Sequence, residues 1–123
     1  MGRMKRTPES LPAWKVERAK ALMLDHMAHS CSIEMVAREC AISRSHFSRA
    51  FKNTTGVPPH IWLRQEQISK AEALLTQRNI SICHIAQECG FSDQSYFTRV
   101  FRALRGISPK RWQLQNGRQS DHT

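Results

Sequence analysis

The chain lacks the features that would commit it to several large classes of protein. No apolar run approaches the roughly 20 residues of a membrane span. The N-terminal MGRMKRTPESLP is charged with no apolar stretch behind it, so it does not read as a secretory signal. No two of the four cysteines, Cys31, Cys40, Cys83 and Cys89, have CxxC spacing, and the reading is a cytoplasmic protein whose cysteines are thiols. There is no glycine-rich phosphate loop and no set of nucleophile, base and orienting group; the 6 histidines are scattered. The chain is therefore not expected to be an enzyme or to hold a cofactor. Cys83 and His84 with Cys89 come nearest to a metal set, but residues six apart on a helix face different ways and no fourth ligand suggests itself, so no metal is expected. No segment shows the alternation of a strand. Acids are also scarce, with 10 Asp and Glu against 19 Lys and Arg, a net charge of +9. That imbalance points to nucleic acid, an anionic membrane surface or an acidic protein as partner.

What is present is a duplication. Shifted by 50 residues, Ser45, Phe47, Arg49, Phe51, Gly56, Pro59 and Trp62 fall on Ser95, Phe97, Arg99, Phe101, Gly106, Pro109 and Trp112. Upstream the shift is 49, and Ser32, Ile33, Ala37, Glu39, Cys40 and Ser43 fall on Ser81, Ile82, Ala86, Glu88, Cys89 and Ser92. Two copies are too few for a solenoid, which needs about three. Each copy instead reads as two short helices about a tight turn. A capping serine (Ser32, Ser81) precedes apolar positions at helical spacing: Ile33, Val36, Ala37 and Cys40, then Ile82, Ile85, Ala86 and Cys89. The turn follows at Ala41-Ile42 or Gly90-Phe91, where glycine ends a helix more easily than alanine. A second cap, Ser43 in one copy and Ser92 or Asp93 in the other, opens a helix with Phe47, Ala50 and Phe51 or Phe97, Val100 and Phe101 inward. That is the helix-turn-helix pattern.

The predicted fold is all-α, with about seven helices and two helix-turn-helix subdomains joined by a long central helix. Residues 1–12 read as a mobile arm, 13–56 as the first subdomain, 57–78 as the connection, 79–115 as the second subdomain and 116–123 as a mobile tail. Within them, helices are expected over Ala13–Ala28, with Val16, Ala19, Met23 and Met27 inward, over Pro59–Gln77, and over Pro109–Gln115. The four phenylalanines read as core rather than as platforms for single-stranded bases, since their spacing places them on the inner face. Trp62 and Trp112 read as packing anchors, and Cys40 and Cys89 as buried thiols.

The second helix of such a unit enters the major groove, and its outer face must reach base edges or phosphates. That face carries Arg44, Ser45, Ser48, Arg49 and Lys52 in the first copy, and Gln94, Ser95, Thr98, Arg99 and Arg102 in the second. Ser45, Ser48, Arg49, Gln94, Ser95, Thr98 and Arg99 are the expected base readers; Arg44, Lys52 and Arg102 are the expected backbone contacts. No acid occurs between Cys40 and Gln65 or between Gln94 and Ser120, where Arg64, Arg105, Lys110, Arg111 and Arg118 add further positive charge. The Arg3, Lys5 and Arg6 cluster reads as a solubilising tail rather than a minor-groove arm. A connecting helix of about 19 residues spans roughly 28 Å, against about 34 Å between successive major grooves, so DNA bending is expected if both reading helices are to seat.

At these residues the chain resembles the DNA-binding domain of the AraC/XylS family of bacterial transcription regulators. The strongest stretch is IAQECGFSDQSYFTRVFRALRGISPKRW, Ile85–Trp112, and VARECAISRSHFSRAFKNTTGVPPHIWL matches the first half. The resemblance implies binding of double-stranded DNA by one protomer at a non-palindromic site, with RNA polymerase as a further partner and no membrane. It covers roughly Ala13–Leu114. The chain has Gln67 where family members often carry a basic residue. Many members also have a sensory or dimerisation domain, and the sequence leaves open whether this is a stand-alone member or part of a longer regulator. The competing readings are an architectural protein that coats DNA without reading it, and a module that docks an acidic protein.

Overall fold

The computed structural model describes residues 10–29, 31–77 and 79–117, and Arg3, Lys5, Arg6 and Arg118 lie outside them. Among the described residues seven α-helices form: α1 Ala13–Asp25, α2 Ile33–Glu39, α3 Arg44–Thr55, α4 Pro59–Leu75, α5 Ile82–Glu88, α6 Gln94–Arg105 and α7 Pro109–Asn116, with a 3-10 turn at Met27–His29. The all-α expectation holds, with no β-strand among the described residues.

The helix starts are set by local chemistry. Ser32, Ser43, Ser81 and Ser108 each accept a hydrogen bond from the amide three residues on, at 3.1–3.2 Å. Between the two candidates for the start of α6, the cap is Asp93, whose carboxylate accepts from the Ser95 amide at 2.9 Å. Each such cap is worth about 1 kcal/mol.

The chain divides into two compact units. One gathers α1 with residues 32–62; the other gathers residues 63–117 with residues 26–31. The boundary between them falls inside α4. The expected helix to Ala28 stops at Asp25, and Met27, though buried, belongs to the second unit instead of the inner face of α1. Leu11, placed by sequence in the mobile arm, is buried, and its amide donates to the Thr54 hydroxyl at 2.9 Å.

In the second unit Ile68, Ala71 and Leu75 of α4 pack with Ile85, Ala86, Cys89, Phe91, Phe97 and Phe101 in one core. In the first, Val16, Ala19 and Met23 of α1 are buried, as are Val36, Ala37, Cys40, Phe47, Ala50 and Phe51. The repeat thus extends to the preceding helix at a spacing of 52, with Val16, Ala19 and Met23 answering Ile68, Ala71 and Leu75. Basic residues correspond as well. Arg18 pairs with Glu39 at 3.3 Å, and Lys70 donates to the Glu88 carbonyl at 3.0 Å. At this spacing Lys15 answers Gln67. Gln67 is itself buried and accepts from Arg64, so the position stays polar and satisfied without a charge.

Burial raises the Cys40 thiol above its ordinary value and pushes Cys89 up to about 11, as suits core thiols, whereas Cys83 is exposed. Cys83 and Cys89 therefore do not share a face.

The two inner turns meet the same backbone demand with different residues. Ala41 has φ of 64° and Gly90 has φ of 90°. A β-carbon at Gly90 would also lie 1.9 Å from the Met27 carbonyl oxygen, so that turn excludes any side chain on two counts. Gly106, by contrast, is left-handed in open space. Ala41→Gly is expected to stabilise the protein by about 1 kcal/mol and Gly106→Ala to cost about 1 kcal/mol, from left-handed strain alone. Gly90→Ala should cost more than about 2 kcal/mol, because backbone must move as well. Urea denaturation of the three variants checks this order.

Candidate nucleic-acid interface

Each second helix is held from behind by aromatic rings. Phe47 and Phe51 on α3, and Phe97 and Phe101 on α6, have no exposed surface. Trp62 meets Phe51 edge-on, with centroids 6.3 Å apart, and Trp112 meets Phe101 the same way at 6.4 Å. Both tryptophans follow a buried proline, Pro59 or Pro109, and they do the packing expected of them. With residues at i and i+4 fixed inward, those on the opposite side of the helix must face water.

That outer side carries the predicted readers. On α3, Arg44, Ser45, Arg49 and Lys52 are exposed and Ser48 is half-buried. On α6, Gln94, Ser95, Arg99 and Arg102 are exposed and Thr98 is half-buried. Within each unit, therefore, the structure brings the predicted residues together on one accessible face. Neither helix has an acid in its first turn; at α3, capped by neutral Ser43, the positive end of the helix dipole adds to the side-chain charge, whereas at α6 the Asp93 cap offsets it.

The cations are not equivalent. Arg105, one of the residues in the acid-free stretch, pairs with Glu72 of α4, both side chains being about three-quarters covered. It braces α6 against α4 and is not presented outward with Arg102. The position answering Arg105 in the first unit is Thr55, whose hydroxyl donates to the Phe51 and Val57 carbonyls at 2.8 and 3.0 Å. Lys20 there answers Glu72 and lies over the Trp62 ring, 5.6 Å from its centroid. An arginine at position 55 would thus have a lysine, not a carboxylate, at the position answering Glu72. Gln113, also buried, donates to the Gln77 and Ile80 carbonyls at 3.2 Å each and so ties α7 to the end of α4.

Two residues to which the sequence assigns no reading role meet at the start of α6, Tyr96 of α6 itself and Arg64 of α4. Arg64 of α4 stacks on Phe91 and on Tyr96, its guanidinium carbon 5.4 Å from each centroid. Arg99 lies 5.6 Å from the same Tyr96 ring. The sequence signal was a single tyrosine at the exposed start of a reading helix, but its arginine neighbour comes from another helix.

Two tight two-helix units, each backed by a preceding helix and each exposing a basic second helix, define a helix-turn-helix domain. A family model described as a helix-turn-helix domain matches residues 36–115, well over half the chain. The protein belongs to the AraC family of transcription regulators. It is 36% identical over 98 residues to the transcriptional activator RhaS of Escherichia fergusonii, an alignment covering 80% of this chain and 34% of RhaS. It is 34% identical over 96 residues to the arabinose operon regulatory protein of Escherichia coli, covering 77% of this chain and 33% of that protein. The chain thus spans about a third of the length of these curated relatives. Among solved structures, the DNA-binding domain of AdpA, a global transcriptional factor crystallised with a target DNA, is similar with a TM-score of 0.77 and 28% identity, over 82% of this chain and 91% of that one.

The Glu72 pair separates two neighbouring arginines by role. Arg105→Met should lower stability by about 1–2 kcal/mol by leaving a carboxylate that is about three-quarters covered without its partner. Arg102→Met on the exposed side should change stability by less than about 0.5 kcal/mol. Thermal and urea unfolding of the two variants tests the distinction.

Proposed function

We propose that the protein is a sequence-specific regulator of transcription that binds double-stranded DNA through both units, placing α3 and α6 in adjacent major grooves. The observation that carries this reading is the paired construction. Each unit buries a phenylalanine pair on one side of its second helix and exposes on the other an arginine with hydroxyl neighbours, joined on α6 by Gln94, and neither helix itself contains an acid. Ser45, Ser48 and Arg49 read bases from α3, and Gln94, Ser95, Thr98 and Arg99 read them from α6. Arginine pairs bidentately with guanine and glutamine with adenine, whereas hydroxyls serve either base or phosphate. Arg44, Lys52 and Arg102 contact the phosphate backbone and supply the salt-dependent share of affinity. The protein binds as one protomer, works in the cytoplasm, and acts on transcription by meeting RNA polymerase beside its site. Coating DNA without reading it is the weaker reading: it needs positive charge alone, and the matched polar side chains at the base-reading positions would have no task.

Arg49→Ala or Arg99→Ala should cost about 1–3 kcal/mol of binding and relax base preference at one position, whereas Lys52→Ala should weaken all sequences alike and reduce the salt slope by about 1. Titrations of a preferred site and of single-base variants at several salt concentrations check both; an Arg99→Ala protein that still discriminates as the parent does would remove that residue from the readers.

Selection from a random double-stranded library should enrich two short boxes about one helical turn apart. A single box would mean that one unit does not read, and no enrichment would favour the coating alternative.

A further inference from the structure

We infer that Tyr96 is a positioning residue for base recognition in the second unit: its ring, fixed by Arg64, holds the Arg99 guanidinium in its reading pose. This rests on the proposed role of Arg99 and adds a residue to that site.

The geometry begins at the turn. Phe91 is buried and its ring packs against Phe97 and Tyr96, with centroids 5.2 and 5.8 Å away. Tyr96 continues this aromatic row onto the surface, where it is 37% exposed. Arg64 caps the row by stacking on both Phe91 and Tyr96, while its own Nη1 donates to the buried Gln67 side chain. The tyrosine ring is thereby held by neighbours from α4 and from the turn. Arg99, one helical turn beyond Tyr96, rests over that ring.

The charge arrangement explains why this serves binding rather than stability. Arg64 and Arg99 take no part in the ion pairs that join Arg18 to Glu39, His84 to Glu88 and Arg105 to Glu72. Two guanidinium groups share one aromatic ring and repel each other. A fold seeking stability alone would place a carboxylate here, as it does for Arg105. An anionic ligand relieves the repulsion, and a guanidinium already stacked loses less rotamer freedom when it meets a base.

The residues of this row are not repeated in the first unit. At the repeat spacings, Tyr96, Phe91 and Arg64 correspond to His46, Ile42 and Pro12, none of which can build a row of rings beneath a guanidinium. The row of rings capped by an arginine therefore distinguishes the second reader from the first.

The test uses the whole chain and the site enriched by selection, with Arg99→Ala marking the base position that Arg99 reads. Tyr96→Leu should lose about two- to fivefold of the preference at that same position, the size of one cation–π contact at an exposed site. Tyr96→Phe should keep the parent's preference, because the ring remains. Arg64→Met should show a smaller loss at the same position. On the Arg99→Ala background, Tyr96→Leu should have no further effect on that preference, as non-additivity requires of a residue acting through another. Unchanged preference in Tyr96→Leu would overturn the inference. So would a uniform weakening on all sequences, which would mark a structural role, or an equal loss in Tyr96→Phe, which would mark a direct contact by the hydroxyl. In each of these the parent still selects its site and the proposed function stands. A parent that prefers no sequence would instead sink both.

Discussion

The constraint on which everything else depends is that a short helix must be fixed from one side so that the other can be offered to a ligand. Twelve-residue helices such as α3 and α6 are marginal in water by themselves. Their orientation comes from two fully buried phenylalanines one turn apart and from a tryptophan set edge-on against the second of them. Turning such a helix by even one residue, about 100°, would bring a ring into water and a guanidinium into the core. The inward face therefore decides which side chains point out, and the polar residues opposite are free to vary with whatever they must recognise.

The duplication keeps this constraint and relaxes others. Both units retain the capping side chains, the left-handed turn, the phenylalanine pair, the buried proline and the tryptophan. They differ where a second solution is physically available. Lys20 and Thr55 stand in one unit where Glu72 and Arg105 stand in the other, and in each case the two choices are compatible: a lysine over a tryptophan ring and a threonine bonded to nearby backbone carbonyls, or an ion pair. The left-handed turn tolerates alanine at position 41, but the Met27 carbonyl leaves position 90 to glycine alone. Such exchanges mark positions set by neighbouring contacts rather than by the fold itself.

This also explains what could be read in the sequence and what could not. Periodicity and capping chemistry are local, so the helices, their buried faces and their outward residues were legible from 3.6-residue spacing and a few serines. Contacts between distant segments were not. Leu11 looked like part of an arm because its partner, Thr54, lies 43 residues away. Met27 fits the spacing of α1, yet it is buried in the second unit because the turn at Gly90 receives its carbonyl. Arg105 counted as one more cation until Glu72, 33 residues distant, was found beside it. Asp93 over Ser92 as the cap of α6 was a choice between two good capping residues, decided by which side chain reaches the Ser95 amide.

On the proposed reading, the non-equivalence of the units has a consequence for the target. A symmetric dimer presents one reader twice and so addresses a palindrome, with half-site spacing set by the two-fold axis. Here one chain carries two readers that share a scaffold but not a vocabulary: arginine with serines on α3, and glutamine, serine, threonine and arginine on α6. Their supports differ as well, since α6 adjoins a row of aromatic rings capped by Arg64 and α3 does not. Such a chain addresses an asymmetric sequence, and a direction along the duplex follows from the order of its two readers. Direction is what a regulator needs if it is to stand in a defined orientation beside a promoter, and duplication followed by divergence supplies it within a single chain.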